Sequence, residues 1–199
     1  MATRPVFLPT RRPPEHVRVV DVEFEWHPGF ALAQKRRSIA SLHAAAARRG
    51  IEPVLEISSK SPDELGVALS AFNLRVRLPS GRAVPVECAF QAAKRFERGG
   101  PFVDLLEATP RDAKRDTRLR ESGRLVAFEL EGRSFPTKPK TAFYDQLYAD
   151  ALEQNAELAA AIFRYAGFTD IEFNPERSFN CQARAAARFV GRAGAERGS

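Results

Sequence analysis

Early in the chain, apolar and acidic residues alternate: Val20, Val22, Phe24 and Trp26 against Asp21, Glu23 and Glu25. A period of two buries one face and wets the other, so this is the clearest strand in the sequence. His27-Pro28-Gly29 turns the chain. A helix is predicted over residues 30–49, with Leu32, Ile39, Leu42 and several alanines on its buried side and Gly50 as its stop. Residues 53–57 read as a second strand. Ser61 as N-cap, Pro62 in the first helical position and Glu64 closing a capping box then predict a helix start. Residues 72–78 and 82–86 flank Pro79-Ser80-Gly81 as a β-hairpin. A short helix over 86–96 follows, ended by Gly99-Gly100-Pro101, and Thr109-Pro110-Arg111-Asp112 opens another. Further on come a strand at 125–130, a helix over about 140–154, and a second helix capped by Asn155 and running to 166. A short strand or loop over 168–174 and a helix over 180–190 complete the pattern. The expected fold is helix-dominated α+β with a small, largely antiparallel sheet. Residues 1–52 are expected to be an extension of strand and helix packed on a domain of residues 53–192, with 193–199 a frayed tail.

The 86–96 segment is the one the rest is organised around. At 3.6 residues per turn, Ala89, Ala92, Ala93 and Phe96 share one side, and Glu87, Phe90, Gln91 and Lys94 the other. Glu87 and Lys94 are then two turns apart, roughly 10 Å of rise. That is too far for an i,i+4 ion pair and suited to gripping opposite ends of one small ligand. A solvated polar face is the bland reading of the same pattern. Phe90 speaks against it, because a phenyl ring on that face would be wasted in water.

Composition changes this picture in one respect. Of 31 basic residues only six are lysines, among them Lys60 and Lys94. Where arginine is the default cation, a lysine is a candidate for a position needing an amine, because it can lose its proton and act as a nucleophile whereas arginine cannot. The net charge of +6 biases the chain mildly toward phosphates or nucleic acid. Ser58-Ser59-Lys60, between a strand and a helix start, suits a phosphate, although the serines could simply cap the helix. Arg111, Lys114, Arg115, Arg118 and Arg120 form the densest positive run, read either as a solvated face or as a phosphate-contacting patch. Cys88 and Cys181 stand far apart, and His27 and His43 lack partners at metal spacing, so no metal site is suggested and His43 reads as structural. No apolar run approaches the ~20 residues of a membrane span, and residues 1–14 lack the apolar core of a signal peptide. A cytoplasmic protein is expected.

Leu69-Ser70-Ala71-Phe72-Asn73, the hairpin, and then Glu87-Cys88-Ala89-Phe90-Gln91-Ala92-Ala93-Lys94 resemble the NADAR family. Its members show a Phe-Ser-Asn-Phe-like segment, a hairpin and a Glu-His-x-Phe-Gln-Ala-x-Lys helix. The likeness runs from about residue 54 to the C-terminus. Glu23-Phe24-Glu25-Trp26 and the stretch from Leu55 to Ser61 are similar to the toxin-associated branch, in which the protein is the antitoxin of a DarT-type toxin that attaches ADP-ribose to guanine in DNA. Cys88 stands where the family has histidine, and the family's glycine-rich Trp-Gly segment has no clear counterpart, leaving Asp170, Asn174 and Asn180 as candidates there.

The resemblance implies an N-glycosidase that removes ADP-ribose from guanine in DNA without a cofactor. Its partners would be ADP-ribosylated DNA, ADP-ribose and the toxin, with no membrane involved. On that reading Glu87 stabilises the cationic sugar, activates water or holds the ribose hydroxyls. Lys94 protonates the departing base or attacks the anomeric carbon, and Asp170 is a second carboxylate. Gln91 orients ribose or base, Phe90 or Phe72 stacks on a ring, and Lys60 and Ser59 hold pyrophosphate. Ser70, Asn73, Arg115, Asn174 and Asn180 complete the substrate-binding set. Two alternatives use the same sequence. One is an N-glycosidase of a phosphorylated metabolite like those of the riboflavin pathway. The other is a non-catalytic antitoxin that neutralises its toxin by binding.

Overall fold

A computed structural model describes residues 1–176 and 178–197. The chain forms two compact units, Met1–Ser70 with Ala156–Ser199, and Ala71–Asn155. The first opens with strands β1 (Ala2–Pro9) and β2 (Val17–Phe24), paired antiparallel from Ala2 opposite Phe24 to Pro9 opposite Val17. Nothing in the sequence pattern predicts β1, because Pro5 and Pro9 lack the N–H that a ladder uses. Val6 and Phe7, both buried, hold it in place instead. Helix α1 (Leu32–Ala47) buries Ser38, Ile39, Leu42, Ala45 and Ala46. Leu32, expected on that face, is 45% exposed because the helix begins there, before its packed stripe. Strand β3 (Val54–Glu56) and helix α2 (Glu64–Ala68) follow. The cap of α2 is Asp63, whose carboxylate accepts the Leu65 amide at 2.8 Å. Ser61, the expected cap, stands two residues early and accepts the Asp63 amide through its hydroxyl.

The second unit begins with the expected hairpin, β4 (Arg75–Arg77) and β5 (Ala83–Pro85), whose turn has Gly81 at φ +86°. Then come α3 (Val86–Ala92), β6 (Lys94–Phe96), a 3-10 turn (Val103–Leu106), α4 (Pro110–Arg115) and α5 (Arg118–Glu121). The Thr109 hydroxyl caps α4, accepting the Asp112 amide at 3.2 Å as its sequence predicts. Strands β7 (Leu125–Leu130) and β8 (Arg133–Phe135) and helix α6 (Ala142–Glu153) complete this unit. Strands β6, β7 and β8 form an antiparallel sheet in that order.

The chain then returns to the first unit with α7 (Ala156–Ile162), β9 (Gly167–Thr169) and α8 (Gln182–Glu196). Helix α7 stops four residues short of 166, and α8 runs beyond 190 into the stretch expected to fray. Gly198 and Ser199 of that tail lie outside the described residues. Strand β9 lies between β1 and β3, antiparallel to the first through Phe7 and Phe168 and parallel to the second. The core of this sheet is Val6, Val22, Phe24, Ile39, Leu42, Ala46, Ile51 and Ile171. The class is thus α+β with mostly antiparallel strands, distributed among the described residues over three small sheets where one was expected.

Candidate active site

Helix α3 has no side-chain N-cap. Its first amides are satisfied by backbone instead: Val86 N–H donates to Leu74 O and Glu87 N–H to Ala71 O, each at 2.9 Å. The segment 71–74 is thereby fixed against the helix start. All seven residues of α3 are buried, so its polar side is not the solvated face that the bland reading of the pattern would make it. Phe90, 6% exposed, packs against Phe128 and Phe143 and meets Tyr144 edge-on at 5.1 Å. The helix also ends earlier than expected. Ala93 is its C-cap and Lys94 begins β6, opposite Phe128 of β7. Pairing with β7 overrides a helical period that the sequence alone sustains to Phe96.

This break brings the two charged ends together through a third side chain. Gln91 Nε2 donates to Glu87 Oε1 at 2.8 Å, and Lys94 Nζ donates to Gln91 Oε1 at 2.6 Å. Carboxylate only accepts and ammonium only donates, so the amide between them can face just one way. Glu87 is 5% exposed and Gln91 6%, while Lys94 is partly buried, its Nζ 4.6 Å from the centre of the Phe90 ring. Burial pulls the Lys94 ammonium down to about 8; Glu87 opposes this and the nearby Lys114 cation adds to it. Lys114 Nζ stands 5.5 Å from the Phe72 ring centre, so Phe72 and Lys94 both feel that cation. Cys88, at the family's histidine position, has its thiol pushed up to about 11 by burial and by Glu87, and its Sγ lies 3.3 Å from Ala108 O. It is an inert core residue.

Of the other sequence candidates in this unit, Asn73 is exposed next to Phe72, and Arg115 is exposed on α4. Arg118 is tied to Asp104 at 2.5 Å and Asp116 at 2.7 Å, which takes it out of the positive run.

Ser59, Lys60, Ser70, Asp170, Asn174 and Asn180 belong to the first unit. Ser59 is exposed, and Lys60 is partly buried with its amide on Ser58 Oγ. Ser70 is buried and its hydroxyl donates to Val67 O at the end of α2. Asp170 is buried and accepts the Glu172 amide, and Asn174 accepts that of Glu176. Asn180 Oδ1 is enclosed with no hydrogen-bond partner.

Sequence reasoning missed Glu56. It is wholly buried, and burial raises its pKa. Its carboxylate accepts from Thr169 Oγ1 at 2.7 Å, from the Ile171 amide at 2.8 Å and from the Ser58 hydroxyl. Since the Thr169 proton goes to Glu56, His43 Nε2 must be the donor in its 2.9 Å contact with Thr169 Oγ1. Burial holds His43 down to about 4. Glu56 thus ties the 58–60 loop to the 169–171 segment. Its signal in the sequence is one acid inside an apolar strand, which has no unique reading. Among the described residues no group of three or more His, Cys, Asp or Glu side chains is placed to hold a metal, and no helix is long and apolar enough to cross a membrane.

Fold and site together define an α+β protein whose second unit holds a linked row of buried acid, buried amide and partly buried amine. Over residues 2–196 the chain matches the family model of the DarT1-associated NADAR antitoxins. It belongs to that family, and its role is that of an antitoxin paired with a DarT toxin. The curated proteins contain no match to it.

Proposed function

We propose that the chain is an N-glycosidase that releases ADP-ribose from guanine in DNA, with its chemistry at Glu87, Gln91 and Lys94. The observation that carries this is a desolvated lysine amine hydrogen-bonded, through one amide, to a buried carboxylate. At about 8, roughly a quarter of the Lys94 amine is unprotonated at pH 7.5, against about one part in a thousand at its ordinary value. The neutral amine attacks the anomeric carbon with its lone pair. The bond from that carbon to the guanine nitrogen breaks, and the base leaves with a proton. One proton of the attacking nitrogen goes to the departing base and the other, as the sugar ring opens, to the ring oxygen, which leaves a neutral imine on Lys94. Water hydrolyses the imine to ADP-ribose and free lysine. Gln91 aims the amine, and Glu87 faces the positive charge that builds on the sugar. Membership of a toxin-paired family supports the substrate, since an antitoxin that reverses the toxin's modification needs no grip on the toxin itself. Ser59 and Lys60 remain the proposed phosphate contacts of the first unit, and Asp170 its proposed carboxylate.

The test is to incubate the protein with DNA carrying ADP-ribosylated guanine and assay free ADP-ribose. Glu87→Gln and Lys94→Ala are each expected to abolish release while keeping the wild-type circular dichroism spectrum. Full activity in either variant removes the role given to that residue. Borohydride added during turnover should fix ADP-ribose covalently on Lys94; an unlabelled lysine would leave it the acid's part.

A further inference from the structure

The positive charge of the first unit is gathered by its fold. Arg11 and Arg12 sit in the turn between β1 and β2, and Arg18 follows in β2. Helix α8 carries Arg184, Arg188 and Arg192 at four-residue spacing, hence along one side, with Arg197 at its C-cap. Its opposite side buries Ala183, Ala186, Ala187 and Val190. The two segments, distant in sequence, lie against each other at Gly191, where any Cβ would strike His16 O and the Thr10 backbone. The Arg11 side chain runs beside Gly194, its Nε 3.9 Å from where a Cβ would stand. Residues 10–18 and 182–197 together hold seven arginines against Glu15 and Glu196, so most of the chain's net charge of +6 lies here. Arg184 pairs with Glu15, and Arg192 is 3.7 Å from Glu196. Arg11, Arg12 and Arg18 are exposed, and their guanidinium groups have no partner among the described residues.

We infer that this arginine surface binds the sugar-phosphate backbone of DNA, an inference that rests on the glycosidase reading for its biological use. Fork-shaped guanidinium donors fit phosphodiester oxygens, and a surplus of them releases counterions on binding. A protein partner would be met by apolar or aromatic anchors. None of the exposed large apolar side chains falls within 10–18 or 182–197.

The experiment compares the wild type with a triple variant, Arg11→Gln, Arg12→Gln and Arg18→Gln. Fluorescence anisotropy with an unmodified 20-base-pair duplex gives affinity and its salt dependence between 50 and 200 mM NaCl. The variant is expected to bind about tenfold or more weakly at mid-range salt, with a log–log slope shallower by about two to three, one contact per arginine removed. Release of ADP-ribose from the modified mononucleoside should be unchanged, since that substrate has no flanking phosphates. Equal affinity and slope overturn the inference. So does a variant that keeps DNA affinity but no longer co-purifies with the toxin, which would make this a protein contact. If the wild type releases ADP-ribose from neither substrate, the glycosidase reading falls and the anisotropy alone still decides the surface.

Discussion

Lys94 owes its chemistry to where its last atom lies. Three influences act on the amine: burial and Lys114 lower its pKa and Glu87 raises it, with burial the largest. If the neutral amine is the nucleophile, the single-turnover rate should climb with pH to a midpoint near 8. Lys114→Gln removes a cation that disfavours the ammonium, so it should move that midpoint upward. A rate that falls through pH 8 would show Lys94 acting as an acid. In the first unit the neutral His43 ring is bound to the hydroxyl that Glu56 holds. Its folded pKa, about 4, lies below its unfolded value. The unfolded chain therefore takes up the proton first, and the stability from neutral His43 is present above about pH 6.5 and lost as pH falls toward 4. Burial raises the Glu56 pKa, so that residue alone acts oppositely, favouring the fold at low pH and losing its contribution as pH rises through the folded value. Urea midpoints at pH 7 and pH 5 separate the two: His43→Gln, which keeps a donor and cannot charge, should lose less on acidification than the wild type. Glu87, Gln91 and Lys94 were legible as a set because their spacing fits one helix face. Lys114, Glu56 and Thr169 were not, since burial and approach across the fold leave no trace in local pattern.

At the scale of elements, α3 shows how little a short period decides. Eleven residues fit a helix, yet the last three join a sheet, and that change of direction lets Nζ of Lys94 reach Gln91. Phe90 pins α3 within the second unit, touching Phe128 of β7 and both Phe143 and Tyr144 of α6. Phe90→Ala should cost about 3–5 kcal/mol by opening a cavity there, read as a lower urea midpoint. Phe90→Leu should cost less and keep activity if the ring serves packing. In α2, the close approach is at Gly66, where a Cβ would run into Glu56 O and Ser61 Oγ. Gly66→Ala should therefore destabilise the chain in thermal melts far beyond its helix propensity. The hairpin, α1, α6 and the Thr109 cap could be read locally, because their period or capping chemistry lies within a few residues. Strand β1 and the true cap of α2 could not. The first is held by burial of Val6 and Phe7 despite its prolines, and in the second two acceptors compete for neighbouring amides.

For the whole molecule, family membership and chemistry meet in one cellular prediction. Co-expressed with its toxin, the wild type should restore growth, and Lys94→Ala should fail although it folds and accumulates normally. Restored growth with that variant would mean neutralisation by binding. The densest basic run in the sequence, around α4 and α5, is in part neutralised by Asp104 and Asp116. The stronger surface comes from a turn and a helix some 170 residues apart, stacked at one glycine. By itself the sequence determined the fold class, most helices, the hairpin, the family and the three residues of the central row, since period, capping and motif spacing are properties of neighbours along the chain. Only the tertiary structure decided where α3 ends, that its polar residues are buried and linked, that Glu56 sits in the core, and which arginines share a face. Each of these depends on surfaces removed from water by distant segments, and no local pattern encodes that.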